Sequence, residues 1–119
     1  VNPEIEKSGL TKDQITTDVE LKLRLAGIKV ASKQESNNLP GMPFLTISTS
    51  ILGSEFYVYG VNVLFYQLVT LQRNGLKGKM AVTWMISMVG YSSDLRDIRE
   101  ATKDSVDKFI NAWLSVNPK

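Results

Sequence analysis

Ten of the twelve acidic residues fall into two groups: Glu4, Glu6, Asp13, Asp18 and Glu20 near the start, and Asp94, Asp97, Glu100, Asp104 and Asp107 near the end. A paired-carboxylate hydrolase needs two acids facing one pocket, in surroundings that separate their pKa values. The later group instead interleaves with bases. Arg96 and Glu100, and Asp104 and Lys108, stand four apart, the pattern of a solvated helix face laced by ion pairs. Asp18 with Glu20, or Asp94 with Asp97, are the pairs that could hold a hard cation. Neither lies in the loop of alternating oxygen ligands that calcium requires, and no metal or other cofactor is expected. Serine and threonine abound in residues 44–54 and at Ser92–Ser93, but a hydroxyl nucleophile needs a base. The sequence contains no His, which leaves only a lysine partner. An enzyme is not the expected reading.

Gly75-Leu-Lys-Gly78-Lys79 suggests phosphate or RNA contact, but it lacks the full spacing of a P-loop and no Ser or Thr follows. A hairpin turn built on Asn74-Gly75, with Lys77 and Lys79 keeping it soluble, explains it better. Tyr57, Tyr59, Phe65, Tyr66, Trp84 and Tyr91 could line a pocket for a small apolar ligand or stack bases. The same residues also serve as core and cross-strand pairs in a sheet. Met80, Met85 and Met88 add adaptable packing of the kind found at interfaces.

The elements that position these residues follow from a chain of 119 residues, enough for one domain with a real core. Fourteen Lys and Arg against twelve Asp and Glu give a net charge of +2, too small a margin to mark a polyanion binder. The absence of Cys together with His excludes disulfides, thiolate nucleophiles, imidazole bases and nearly every zinc, haem or iron–sulfur site. No run approaches the ~20 apolar residues of a membrane span.

Residues 1–9 are polar and read as a loosely held arm before a single domain over 10–119. Thr11-Lys-Asp-Gln14 is a capping box, with Leu10 and Ile15 placed for a hydrophobic staple and Gly27 for the closing turn of a helix. The alternation Asp18-Val-Glu-Leu-Lys-Leu-Arg-Leu25 would also suit a strand, but its helix-forming composition and both caps favour a helix. Ile28–Ser32 reads as a short strand and Lys33–Pro43 as a loop. Three longer β runs follow: Phe44–Leu52, Glu55 to about Gln72, and Met80 to about Gly90. Ser93 or Asp94 caps a last helix with Leu95, Ile98, Val106, Phe109, Trp113 and Val116 at helical spacing, and Pro118 marks its end. The expected fold is α+β in the order α-β-β-β-β-α: a four-stranded antiparallel sheet, two helices packed on one face, and a long bent central hairpin. Double-stranded RNA-binding domains resemble this order in outline. Their last helix opens on lysines aimed at phosphates, however, where this chain has Asp94-Leu-Arg-Asp97, so no nucleic acid is expected.

The run from Glu55 to Gln72 would stretch about 60 Å, twice the ~30 Å width of a small domain. It must bend, with Gly60 as the candidate, or project. If Gly53-Ser54 is a two-residue turn, Leu45, Ile47 and Ile51 share one face with Phe56, Val58, Leu64, Tyr66 and Leu68. The other face carries Thr46, Ser48 and Ser50, then Tyr57, Tyr59, Val61, Val63, Phe65, Val69 and Leu71. Two helices cannot roof both faces, and an apolar face left bare exceeds what monomers usually expose. Tyr57, Tyr59, Val61, Val63, Phe65, Val69, Leu71 and Met85 are the candidate interface, with a twofold homodimer as the expected cover.

The entry Leu23-Arg-Leu-Ala-Gly27-Ile-Lys-Val30, the hairpins and the end Phe109-Ile-Asn-Ala-Trp-Leu…Asn117-Pro118 resemble uncharacterised small bacterial envelope proteins and lipoproteins. The first thirty residues also resemble the amino-terminal domain type of the periplasmic protein TolB. The likeness implies a place in the periplasm or cell envelope, and a start at Val1 rather than Met points the same way; the cytoplasm is the alternative. The expected function is a non-catalytic structural or protein-interaction module that self-associates, with an envelope protein as a further partner. A small-ligand carrier and a nucleic-acid-binding module are the alternatives.

Overall fold

A computed structural model describes residues 3–7 and 9–117. Pro3–Lys7 forms a short helix, α1, and Ile5 within it is buried, so this part of the expected arm is docked on the domain. The rest of the arm, Val1, Asn2 and Ser8, lies outside the described residues, as does Pro118.

Helix α2 runs from Lys12 to Leu25. Its capping box forms as expected: the Gln14 amide donates to Thr11 Oγ1 at 3.1 Å, and the Thr11 amide donates to Gln14 Oε1 at 3.0 Å. At the other end, the amides of Gly27 and Ile28 donate back to the carbonyls of Arg24 and Leu23, a Schellman closure. The apolar arc is wider than its cover. Ile15 and Val19 are buried, whereas Leu21 and Leu25 stay exposed.

The strand expected at Ile28–Ser32 does not form. Ser32 and Glu35 make a second capping box, Ser32-Lys-Gln-Glu35, which starts the short helix α3 (Lys33–Asn37). The stretch between the Schellman turn and this cap is too short to lay down a ladder. The sheet therefore has three strands, not four: β1 (Phe44–Leu52), β2 (Tyr57–Val69) and β3 (Lys79–Ser92), an antiparallel meander in the order β1-β2-β3.

The last helix, α4, spans Leu95–Val116 behind an Asp94 cap. It lies across β2 and β3, and α2 packs against α4 rather than squarely on the sheet. The two helices run in the same sense, since Asp18 meets Arg99 and Lys22 meets Asp107 further along both. Val61, Val63, Ile98 and Val106 are fully buried between α4 and the sheet, each contributing about 1.5–3 kcal/mol over exposure. Phe65, Trp84, Phe109 and Trp113 form an aromatic cluster with ring centroids 5.2–6.2 Å apart.

The bend is displaced from its expected site. Gly60 pairs regularly with Ser50 and Val89. The bulge lies at Thr83: Phe65 faces Trp84, Tyr66 faces Val82, and Thr83 is the extra residue. Its hydroxyl accepts from Gln67 Nε2 at 2.9 Å and donates to the Phe65 carbonyl. Past this point Val82 and Met80 turn away from α4. The hairpin also projects: α4 is about 33 Å long, while β2 alone is about 43 Å and carries a further turn. The molecule measures 51 × 31 × 26 Å, with a radius of gyration of 16.1 Å against about 13.5 Å for a compact domain of this length.

Candidate functional site

The register between β1 and β2 decides which residues the molecule offers. Leu52 pairs with Val58 and Ile51 with Tyr59, so the connection is five residues, Gly53–Tyr57, and not the two of a tight hairpin. An odd change in loop length moves every side chain of the second strand to the other face. Gly53 makes the turn at φ +110°, where a Cβ would lie 2.1 Å from the Phe56 carbonyl oxygen. The face assignment is thereby corrected. Tyr57, Tyr59, Val61, Val63 and Phe65 join Leu45, Ile47 and Ile51 on the face under the helices, and the five β2 residues are core. Val69 is half-buried at the end of β2, and Leu71 lies beyond the strand and is exposed. Of the eight candidates, Met85 alone projects from the open face of the sheet.

That open face is a ladder of rows across three strands. From one end, the rows are Leu52–Val58–Tyr91, Ser50–Gly60–Val89, Ser48–Asn62–Ser87, Thr46–Leu64–Met85 and Phe44–Tyr66–Val82, with Leu68–Met80 beyond β1. Leu52, Val89, Tyr91 and Met85 are 75%, 80%, 74% and 57% exposed, values that for large apolar side chains mark an unroofed surface. Tyr91 leans on Phe56 at 5.6 Å, and Phe44 stacks on Tyr66 at 4.6 Å. The middle row is polar, tied by a 2.6 Å hydrogen bond from Ser87 Oγ to Asn62 Oδ1. The face thus has two apolar ends and a polar belt.

Several of the charged residues that suggested chemistry are engaged in ion pairs. Arg99 donates to Asp18 from Nε at 2.5 Å and from Nη2 at 2.9 Å, and Lys22 clasps Asp107 at 2.8 and 3.0 Å. Arg96 pairs with Asp94 instead of Glu100, and Lys103 with Glu100. Among the described residues three carboxylates are shifted, all downward: Asp18 chiefly by the Arg99 hydrogen bond, Asp94 by that of Arg96, and Glu35 by that of Lys29. The same bonds raise Arg96 and Arg99. A general acid needs the opposite shift, so these three groups are charged partners. Among the described residues no cluster of three or more acids could hold a metal.

One spacing escaped the sequence reading. Ser105-Val-Asp-Lys108 has the Ser-x-x-Lys pattern of lysine-assisted nucleophiles. Ser105 is buried, and its hydroxyl donates to the Ala101 carbonyl at 2.9 Å; Lys108 is exposed. No hydrogen bond joins them among the described residues. Both line an open cleft of about 560 Å³ with Tyr59, Met88, Asp97, Glu100, Ala101 and Asp104. A second open cleft, about 530 Å³, lies where Leu10 and Gln14 approach Tyr57, Asp94 and Arg99. The aromatic set is split between core and open face instead of lining one pocket.

Comparison with family models, curated proteins and solved structures found no match to this chain. No helix among the described residues is long and apolar enough to cross a membrane.

Proposed function

We propose that this chain is a non-catalytic structural or protein-interaction module that self-associates through the open face of its sheet. The observation that carries the reading is the row pattern, with exposed apolar ends on either side of the Ser48–Asn62–Ser87 belt. A second copy related by twofold symmetry is complementary to it. Polar row meets polar row, where Asn62 and the serines exchange hydrogen bonds, and apolar ends cover apolar ends. A second sheet at the usual ~10 Å spacing would bury Leu52, Val58, Met85, Val89 and Tyr91 as in a β-sandwich. An envelope setting belongs to the same proposal.

Sedimentation at tens of micromolar tests it. The expected species has twice the 13.3 kDa chain mass. Val89→Lys combined with Met85→Lys is expected to yield a monomer that still unfolds cooperatively, at a midpoint lowered only by the lost association, because both side chains project from the open face of each chain. A wild-type chain that stays monomeric, or a dimer indifferent to both lysines, rejects the proposal.

A further inference from the structure

We propose that the tip of the β2–β3 hairpin docks on an anionic lipid surface. The tip, residues 70–78, extends past the end of α4 and beyond the last row of the open face, so the proposal does not depend on self-association. Its charge is of one sign: Arg73 and Lys77 in the tip, and Lys79 at the adjoining start of β3, stand in a stretch with no acidic residue between Glu55 and Asp94. Among the described residues no ion pair engages these three cations. Asn38–Pro43, whose Gly41 carbonyl accepts from the Leu68 amide at 2.7 Å just short of the tip, carries no charge either.

The tip is also apolar and built. The Leu71 amide donates to the Leu76 carbonyl at 2.9 Å, the Gly75 amide donates to the Leu71 carbonyl at 2.7 Å, and Asn74 Oδ1 accepts from the Leu76 amide at 3.0 Å. These bonds set the two leucines side by side, and both remain exposed, as does Met80. Aliphatic side chains ringed by cations suit the boundary between headgroups and acyl chains, where apolar burial and attraction to anionic lipid add. A single-stranded nucleic acid would use the same cations but also aromatic rings for its bases, and none occurs between Tyr66 and Trp84.

Flotation with vesicles of phosphatidylcholine and phosphatidylserine, against phosphatidylcholine alone, tests the proposal at low salt. Binding to the mixed vesicles is expected to be more than about tenfold stronger, and to fade as added salt shortens the screening length. Arg73→Gln/Lys77→Gln/Lys79→Gln is expected to lose that preference. Leu71→Ser/Leu76→Ser is expected to weaken binding several-fold at unchanged charge, and both variants keep the wild-type unfolding midpoint. Equal binding to the two vesicles, undiminished binding by either variant, or neglect of vesicles with duplex RNA held through the same three cations would each overturn it.

Discussion

Replacing Gly90 with alanine sets a methyl group 2.6 Å from the Tyr59 hydroxyl oxygen and 2.7 Å from its Cζ. The ring lies across the glycine in the core, so the strain is expected to cost about 1–3 kcal/mol. At Gly60 the added methyl meets only the Met88 carbonyl oxygen, at 3.7 Å, an ordinary contact. Alanine there is expected to be neutral, or to gain up to about 1 kcal/mol from the restricted unfolded chain. Urea unfolding of the two variants gives both answers, and the reverse order would mean that Tyr59 does not pack over Gly90. Asp18 makes the second prediction at this scale. Its folded pKa is depressed below 3.8 by the Arg99 hydrogen bond, so its contribution is present above the unfolded value and lost as pH falls through the folded one. Asp18→Asn is expected to lower stability at neutral pH by about 1–2 kcal/mol, allowing for the partial exposure of Arg99. The gap between wild type and variant should narrow as the pH is taken from 5 towards 2; a constant gap would detach the effect from ionisation.

Among the elements, local chemistry was legible wherever the signal was local. The Thr11 capping box, the Asp94 cap and the alternation of β1 depend on neighbours a few residues apart, and each is visible in the residues themselves. Ser32-Lys-Gln-Glu35 had the same signature as Thr11-Lys-Asp-Gln14, yet the alternation of Ile28–Ser32 hid it. Register was not legible, because one parity, five residues against two between β1 and β2, exchanges the faces of a whole strand. Nor were Thr102 and Ser105 visible as core. Their hydroxyls are buried by donating to the Ile98 and Ala101 carbonyls one turn back, which polarity alone does not announce. The corrected faces make opposite predictions for similar substitutions. Phe65→Lys places a charge among Phe109 and Trp113 and is expected to abolish the cooperative thermal transition seen by circular dichroism. Val89→Lys on the same sheet should leave that transition in place. Equal losses would mean that both faces are covered.

Across the whole molecule, the carboxylates gather on the helices and the loops around them, while β1 holds no charged residue and β3 holds only Lys79. The helices are joined by charge, Asp18 to Arg99 and Lys22 to Asp107, and the sheet is joined to α4 by apolar burial. The excess of sheet over cover, read from the abundance of apolar β residues, survives the loss of one strand and the exchange of faces. The residues assigned to it changed almost completely. One consequence follows from the outermost strand. Along Phe44–Leu52 there is no lysine, no proline and no kink, and β2 occupies only one of its sides. Every second residue's amide and carbonyl on the far side therefore lies outside the ladder, and among the described residues no further strand pairs with them. An edge left in this state is a template for an incoming strand, the liability that edge lysines and prolines ordinarily blunt.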